Sequence, residues 1–190
     1  MKKYILGFLT IILIGMGCAN NSETTADNHA EHEHQEQEDK PKKKSLSPRT
    51  QAMANIGETH VHIDYSAPSA RGRMIFGGLV GYDNVWVTGA HSATSIDFST
   101  DIEIDGQTIP KGKYAFFTIP NQEEWTLILN KNYDQHLSDD YDEALDIIRV
   151  KVKPETLEEK VETLTYEVTE NGMSVAWENL KVSLPIKSKK

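Results

Sequence analysis

From about Ser45 onward, apolar and polar residues alternate over short stretches with a period of two. Thr59, Val61, Ile63 and Tyr65 alternate with His60, His62 and Asp64, the pattern of a strand with one buried face. Val85 to Thr88 is β-branched and aromatic and predicts a short strand. Ser95 to Ser99 places Ile96 and Phe98 inward. Ile102 and Ile104 lead into Asp105-Gly106, a tight-turn dipeptide. After the turn signal Pro110-Lys111-Gly112, Tyr114 to Ile119 is apolar enough for a central strand. Pro120 to Glu124 turns the chain into Trp125 to Leu129. Asp146 to Val152, Glu162 to Val168, Ser174 to Trp177 and Lys181 to Leu184 complete a set of about nine strands. Asn171-Gly172 marks the last hairpin, and Asp139 to Leu145 predicts a short helix. Strands without long intervening helices pair antiparallel, so residues 45–188 predict an all-β domain, an antiparallel β-sandwich or a jelly-roll-like relative of one.

The N-terminus follows a different pattern. Lys2 and Lys3 precede an apolar run from Tyr4 to Met16, then Gly17 and Cys18. Basic segment, apolar core and small residue before the cut are the parts of a signal peptide, here residues 1–17. The run is shorter than the roughly 20 residues that span a hydrocarbon core. Cys18 is the single cysteine, and its position at the cut implies a bacterial lipoprotein held by acyl chains such as palmitate. Gly15 stands where such sites prefer Leu. Several acyl chains anchor a protein stably where one does not. The membrane is therefore an expected partner, through the lipid. Ala19 carries no aspartate-type inner-membrane retention signal, which favours the outer membrane and leaves the periplasmic or surface side open.

Residues 18–44 hold no large apolar side chain and are rich in Asn, Ser, Glu, Thr, His and Gln. That composition predicts a disordered linker, with an end-to-end distance of about 28 Å as a flexible coil. The run Lys40-Pro41-Lys42-Lys43-Lys44 closes it. The formal net charge is -9, and loss of Lys2 and Lys3 with the leader makes the remainder more acidic still. This sign excludes nucleic acid as an expected partner of the domain. With Cys18 acylated no disulfide is available, and stability rests on an apolar core.

Several residue sets carry candidate chemistry. His29, His32 and His34 form a His-rich tract in the linker, a composition that binds divalent transition metals and also serves as a solvated spacer. His60, His62 and Asp64 project from one strand face. With His91 as a third ligand they would make a metal centre with an open position; without it they are a polar outer face. Arg71-Gly72-Arg73 offers guanidinium groups for a carboxylate or phosphate, or for pairing with the domain's own acids. Asp101-Ile-Glu103-Ile-Asp105-Gly106 lacks the acidic twelfth residue of a calcium loop, where Gly112 stands. The G-x-S-x-G and H-E-x-x-H patterns of hydrolases do not occur. Trp86, Trp125 and Trp177 lie in strand-like runs and predict core positions.

Taken together, Ser47-Pro48-Arg49, Asp64-Tyr65-Ser66-Ala67-Pro68, Arg71-Gly72-Arg73, Ile75-Phe76-Gly77-Gly78-Leu79-Val80, Val85-Trp86, Thr88-Gly89-Ala90 and Pro110-Lys111-Gly112-Lys113-Tyr114 resemble domain of unknown function family 2911. Trp125 to Asn130 and Arg149 to Pro154 fit as well. The resemblance spans roughly residues 46–185 and implies an exported bacterial protein; it implies no activity. This chain has Val87 where the family often has Arg, and His91 where it often has Asn.

These readings converge on a cell-envelope lipoprotein acting as a binding or accessory module for a small polar or anionic ligand. The candidate ligand residues are Asp64, Tyr65, Arg71, Arg73, Trp86 and His91. The alternatives are an envelope metal-binding protein or metalloenzyme using His60, His62 and His91, and a structural envelope protein without a small ligand. No catalytic residue and no obligatory cofactor follow from the sequence, and a protein partner is not specified by it.

Overall fold

A computed structural model describes residues 45–189. The leader, Cys18, and the linker with His29, His32 and His34 lie outside the described residues.

The first strands are β1 (Arg49–Ile56), β2 (Thr59–Ser66) and β3 (Thr94–Phe98). β4 (Ile102–Ile104) and β5 (Gln107–Ile109) follow, then β6 (Gly112–Ile119), β7 (Trp125–Asn130) and β8 (Asp146–Val152). β9 (Glu155–Thr169), β10 (Gly172–Pro185) and β11 (Lys187–Ser188) end the chain. The principal sheet has six strands in the order β1-β2-β3-β6-β7-β8, all antiparallel. It is a meander that the chain leaves twice, between β2 and β3 through residues 67–93 and between β3 and β6 to form the β4–β5 hairpin. Asp105 (φ 48°) and Gly106 (φ 76°) occupy the centre of that hairpin, the two left-handed positions a two-residue turn requires. β11 pairs with β4, and β9 pairs with β10 in one long hairpin.

Strand alternation decides the core. Val61, Ile63, Tyr65, Ile96, Phe98, Phe116, Leu127 and Leu129 face inward from the large sheet. They meet Leu164, Tyr166, Val175, Trp177, Val182 and Leu184 of the long hairpin, and Ile102, Ile104 and Ile109 of the small sheet. This closes an all-β antiparallel sandwich rather than a barrel. A smaller cluster, Val87, Ala93, Ala115, Phe117 and Ile128, lies on the opposite face of β6 and β7. Every buried residue of both cores comes from the stretch Ile56–Ile186, and the described residues form one compact unit. The domain therefore carries its own fold. Among the described residues no helix is long and apolar enough to cross a membrane.

Four expectations are corrected. The described residues form eleven strands rather than about nine, and β1, β5 and β11 are the ones the sequence pattern does not announce. Ser174–Trp177 and Lys181–Leu184 are parts of one strand, β10, whose pairing with β9 is shifted at Glu178. The predicted helix over 139–145 is a single 3₁₀ turn at Glu143–Leu145, capped by the Asp142 carboxylate. Val85–Thr88 is not a strand: Trp86 alone bridges to Thr118. That bridge lies on the same edge of β6 that β3 occupies through Phe116, and Thr94 N donates to Val87 O across the gap (3.3 Å). Residues 88–93 thus form an excursion interrupting one strand position, and it shapes the candidate site.

Candidate functional site

The excursion is held in strained backbone. Thr88 has φ 50° and His91 φ 65°. The left-handed region is unusual for a β-branched residue, whereas histidine and asparagine are both enriched there. Thr88 is fully buried, and its carbonyl oxygen and hydroxyl are both engaged in this conformation. Its carbonyl oxygen accepts from Tyr166 Oη (2.8 Å) and from Thr94 Oγ1 (3.1 Å). Its hydroxyl lies 3.0 Å from Thr118 Oγ1 and 3.2 Å from Trp86 O. Trp86 Nε1 donates to Gly89 O (3.1 Å). On the far side, Leu137 N donates to His91 O (2.7 Å) and Ala93 N to Gln135 O (3.0 Å). These bonds fix Gly89, Ala90 and His91 from both sides.

The segment Ala70–Val80 faces the excursion. Arg73 Nε donates to Ala70 O (3.0 Å) and Arg73 Nη2 to Ser69 O (2.7 Å). The guanidinium is therefore anchored by backbone oxygens, and among the described residues it makes no ion pair with a carboxylate. Between the two segments lies a cavity of about 340 Å³ lined by Arg73, Trp86, Val87 and His91, with Val80 and Trp177 among its apolar members. The Trp86 and Trp177 rings lie 5.9 Å apart and nearly parallel (23°), with Phe76 edge-on to both.

Arg73, Trp86 and His91 thus share one pocket. Asp64, Tyr65 and Arg71 are not among its lining residues. Asp64 and Tyr65 are neighbours on β2 and project to opposite faces. Asp64 points to the outer face, 3.8 Å from both Lys113 Nζ and His62 Nε2. Tyr65 points into the core, 4.6 Å from the Tyr166 ring centroid. Arg71 turns away and donates from Nη2 to Leu46 O (2.8 Å). Leu79, Leu137 and Trp177 line the pocket but were not foreseen as site residues. Trp177 was readable only as core, and Leu79 and Leu137 sit in loops without periodicity.

His60 and His62 do share the outer face of β2, with ring centroids 6.5 Å apart. Each is engaged by the neighbouring strand: His60 Nδ1 lies 3.0 Å from Asn55 Oδ1, and His62 Nε2 lies 2.9 Å from Gln51 Oε1. His91 belongs to the pocket instead. Among the described residues no three His, Cys, Asp or Glu side chains are grouped to hold a metal ion.

A larger cavity, about 420 Å³, lies beside the β4–β5 turn, β8 and the end of β10. None of the residues foreseen from the sequence lines it.

Residues 47–186 match the family described as "Protein of unknown function (DUF2911)", and the chain belongs to that family. No curated protein and no solved structure matches the chain.

Proposed function

We propose that this protein is a lipid-anchored binding module of the cell envelope, and that its ligand is small and anionic and occupies the pocket between Arg73 and His91. The observation that carries this reading is the convergence on one concave site of a guanidinium without an ion pair among the described residues, an exposed imidazole and two indole rings. A volume of about 340 Å³ falls at the low end of the range typical of small-molecule sites, which are largely pre-formed and mostly apolar with a few placed polar groups. The hydrogen bonds on both sides of the excursion supply that pre-formation. The tripartite leader and Cys18 support the envelope location.

A thermal-shift screen of small anions against the chain from Lys42 onward tests the reading. A ligand at 100 times its dissociation constant raises stability by about 2.7 kcal/mol. Arg73→Gln keeps donors for the backbone oxygens and removes the charge, so it abolishes the shift. The reading fails when no anion shifts the transition, or when the shift survives undiminished in Arg73→Gln.

A further inference from the structure

Resting on the reading of this pocket as a ligand site, we infer that its ligand is an amphipathic monoanion: one carboxylate carried on an apolar body. The first observation is the lining. Apart from Arg73 and His91 the walls are dominated by Val80, Trp86, Val87 and Trp177. The second is the rim. Leu79 and Leu137, both lining residues, stay 51% and 38% exposed. Large apolar side chains left in water around a concave site are satisfied by an apolar ligand surface and gain nothing from a hydrated one.

The third observation is the charge available. Arg73 is the pocket's single guanidinium, and two of its nitrogens already donate to Ser69 O and Ala70 O. What remains matches one carboxylate. Among the described residues the lining holds no second permanent cation, so a dianion such as phosphate would bring in a charge without a fixed partner, and unpaired charge is costly to desolvate. His91, also in the lining, can offer a ring N–H as a further donor to the same head group.

The test uses the chain from Lys42 onward, with binding read as changes in the amide and imidazole NMR signals of Gly89, Ala90 and His91. The probes are straight-chain monocarboxylates from butanoate to octanoate, the matching primary alcohols, and tailless acetate and inorganic phosphate. Affinity should rise about fourfold per methylene until the pocket is filled. Each alcohol should bind at least about tenfold more weakly than its carboxylate. Arg73→Gln should bring the carboxylate down to the level of the alcohol and leave the alcohol unchanged. Leu79→Asp, at an exposed rim position that should tolerate substitution, should weaken carboxylates more than alcohols. Phosphate or acetate binding as tightly as octanoate would overturn the inference while sparing the pocket as an anion site. Alcohols binding as tightly as carboxylates would overturn it from the other side. Silence of all the probes at Gly89, Ala90 and His91 would sink both the inference and the binding reading beneath it.

Discussion

The Tyr166 hydroxyl donates to the carbonyl oxygen of Thr88 at 2.8 Å, in the buried interior between the long hairpin and the pocket-forming excursion. A single hydrogen bond therefore joins the second layer of the sandwich to the strained residue that begins the pocket loop. Thr88 O keeps a second donor, Thr94 Oγ1, so removal of the phenol does not orphan it. Tyr166→Phe should destabilise by about 0.5–1.5 kcal/mol, the net value of one such bond. It should also shift the NMR signals of Gly89 to His91, as a purely local packing change would not. Urea unfolding and a two-dimensional amide spectrum check the two parts.

Gly172 should be far less replaceable than its position in a hairpin suggests. Its φ of 142° is one that side chains rarely adopt. A Cβ there would stand 2.2 Å from Leu184 O and 2.9 Å from Ile186 N. Both neighbours are backbone, so neither yields by rotating a side chain. Backbone strain alone costs of order 1–3 kcal/mol, and the overlap adds to it. Gly172→Ala should destabilise by about 3 kcal/mol or more, with urea unfolding as the measurement. A loss below about 1 kcal/mol would mean that the strand end after Leu184 is free to move aside.

The parts of the fold legible in the sequence are those where one face of a strand is buried and the other wet. β2 announces itself because Val61, Ile63 and Tyr65 alternate with His60, His62 and Asp64. β1 does not, because three of its four inward residues, Thr50, Ala52 and Ala54, are small, leaving only Ile56, and Met53 faces outward opposite His62. Val85–Thr88 has the composition of a strand, but tertiary hydrogen bonds bend Thr88 into the left-handed region, and composition carries no trace of them. At the site, Arg73, Trp86 and His91 were legible from side-chain chemistry and the motif blocks. Asp64 and Tyr65 belonged to the same block, yet the pleat separates neighbours onto opposite faces. The change from the family's frequent Asn to His91 keeps a residue type suited to φ 65°, so it alters the pocket's chemistry without altering the backbone's demand.

Acylation of Cys18 is the premise of the envelope reading. The full-length precursor expressed in a bacterium should incorporate radiolabelled palmitate and partition with membranes. Cys18→Ser should lose the label entirely and leave the protein released from the membrane or uncleaved. Label retained in Cys18→Ser would overturn the assignment, because the chain has a single cysteine to accept a thioether-linked lipid.

Alkaline pH should weaken the fold through its phenols, and Tyr141 offers the cleanest test. Burial, reinforced by the hydrogen bond to Asp146, pushes its pKa from 10.0 up to about 12, with Arg149 partly opposing the rise. Tyr141 Oη donates to Asp146 Oδ2 (2.7 Å), an oxygen that also accepts from Arg149 Nε (2.7 Å). Ionised tyrosine could not make that donation and would face a carboxylate. Burial also raises Tyr166, and burial followed by the charge of Asp101 raises Tyr114. The sign follows from linkage. A phenol that ionises near pH 10 when unfolded, and later when folded, contributes its stability fully below pH 10. That contribution is lost as pH rises from about 10 to about 12. Urea midpoints measured from pH 8 to pH 12 should therefore hold level for this contribution and then fall. Tyr141→Phe should start from a lower midpoint at pH 8, having lost its bond to Asp146, and should fall less steeply above pH 10. Parallel curves for the two proteins through that window would show that Tyr141 titrates alike in the folded and unfolded chain, and that the contact with Asp146 does not hold its proton.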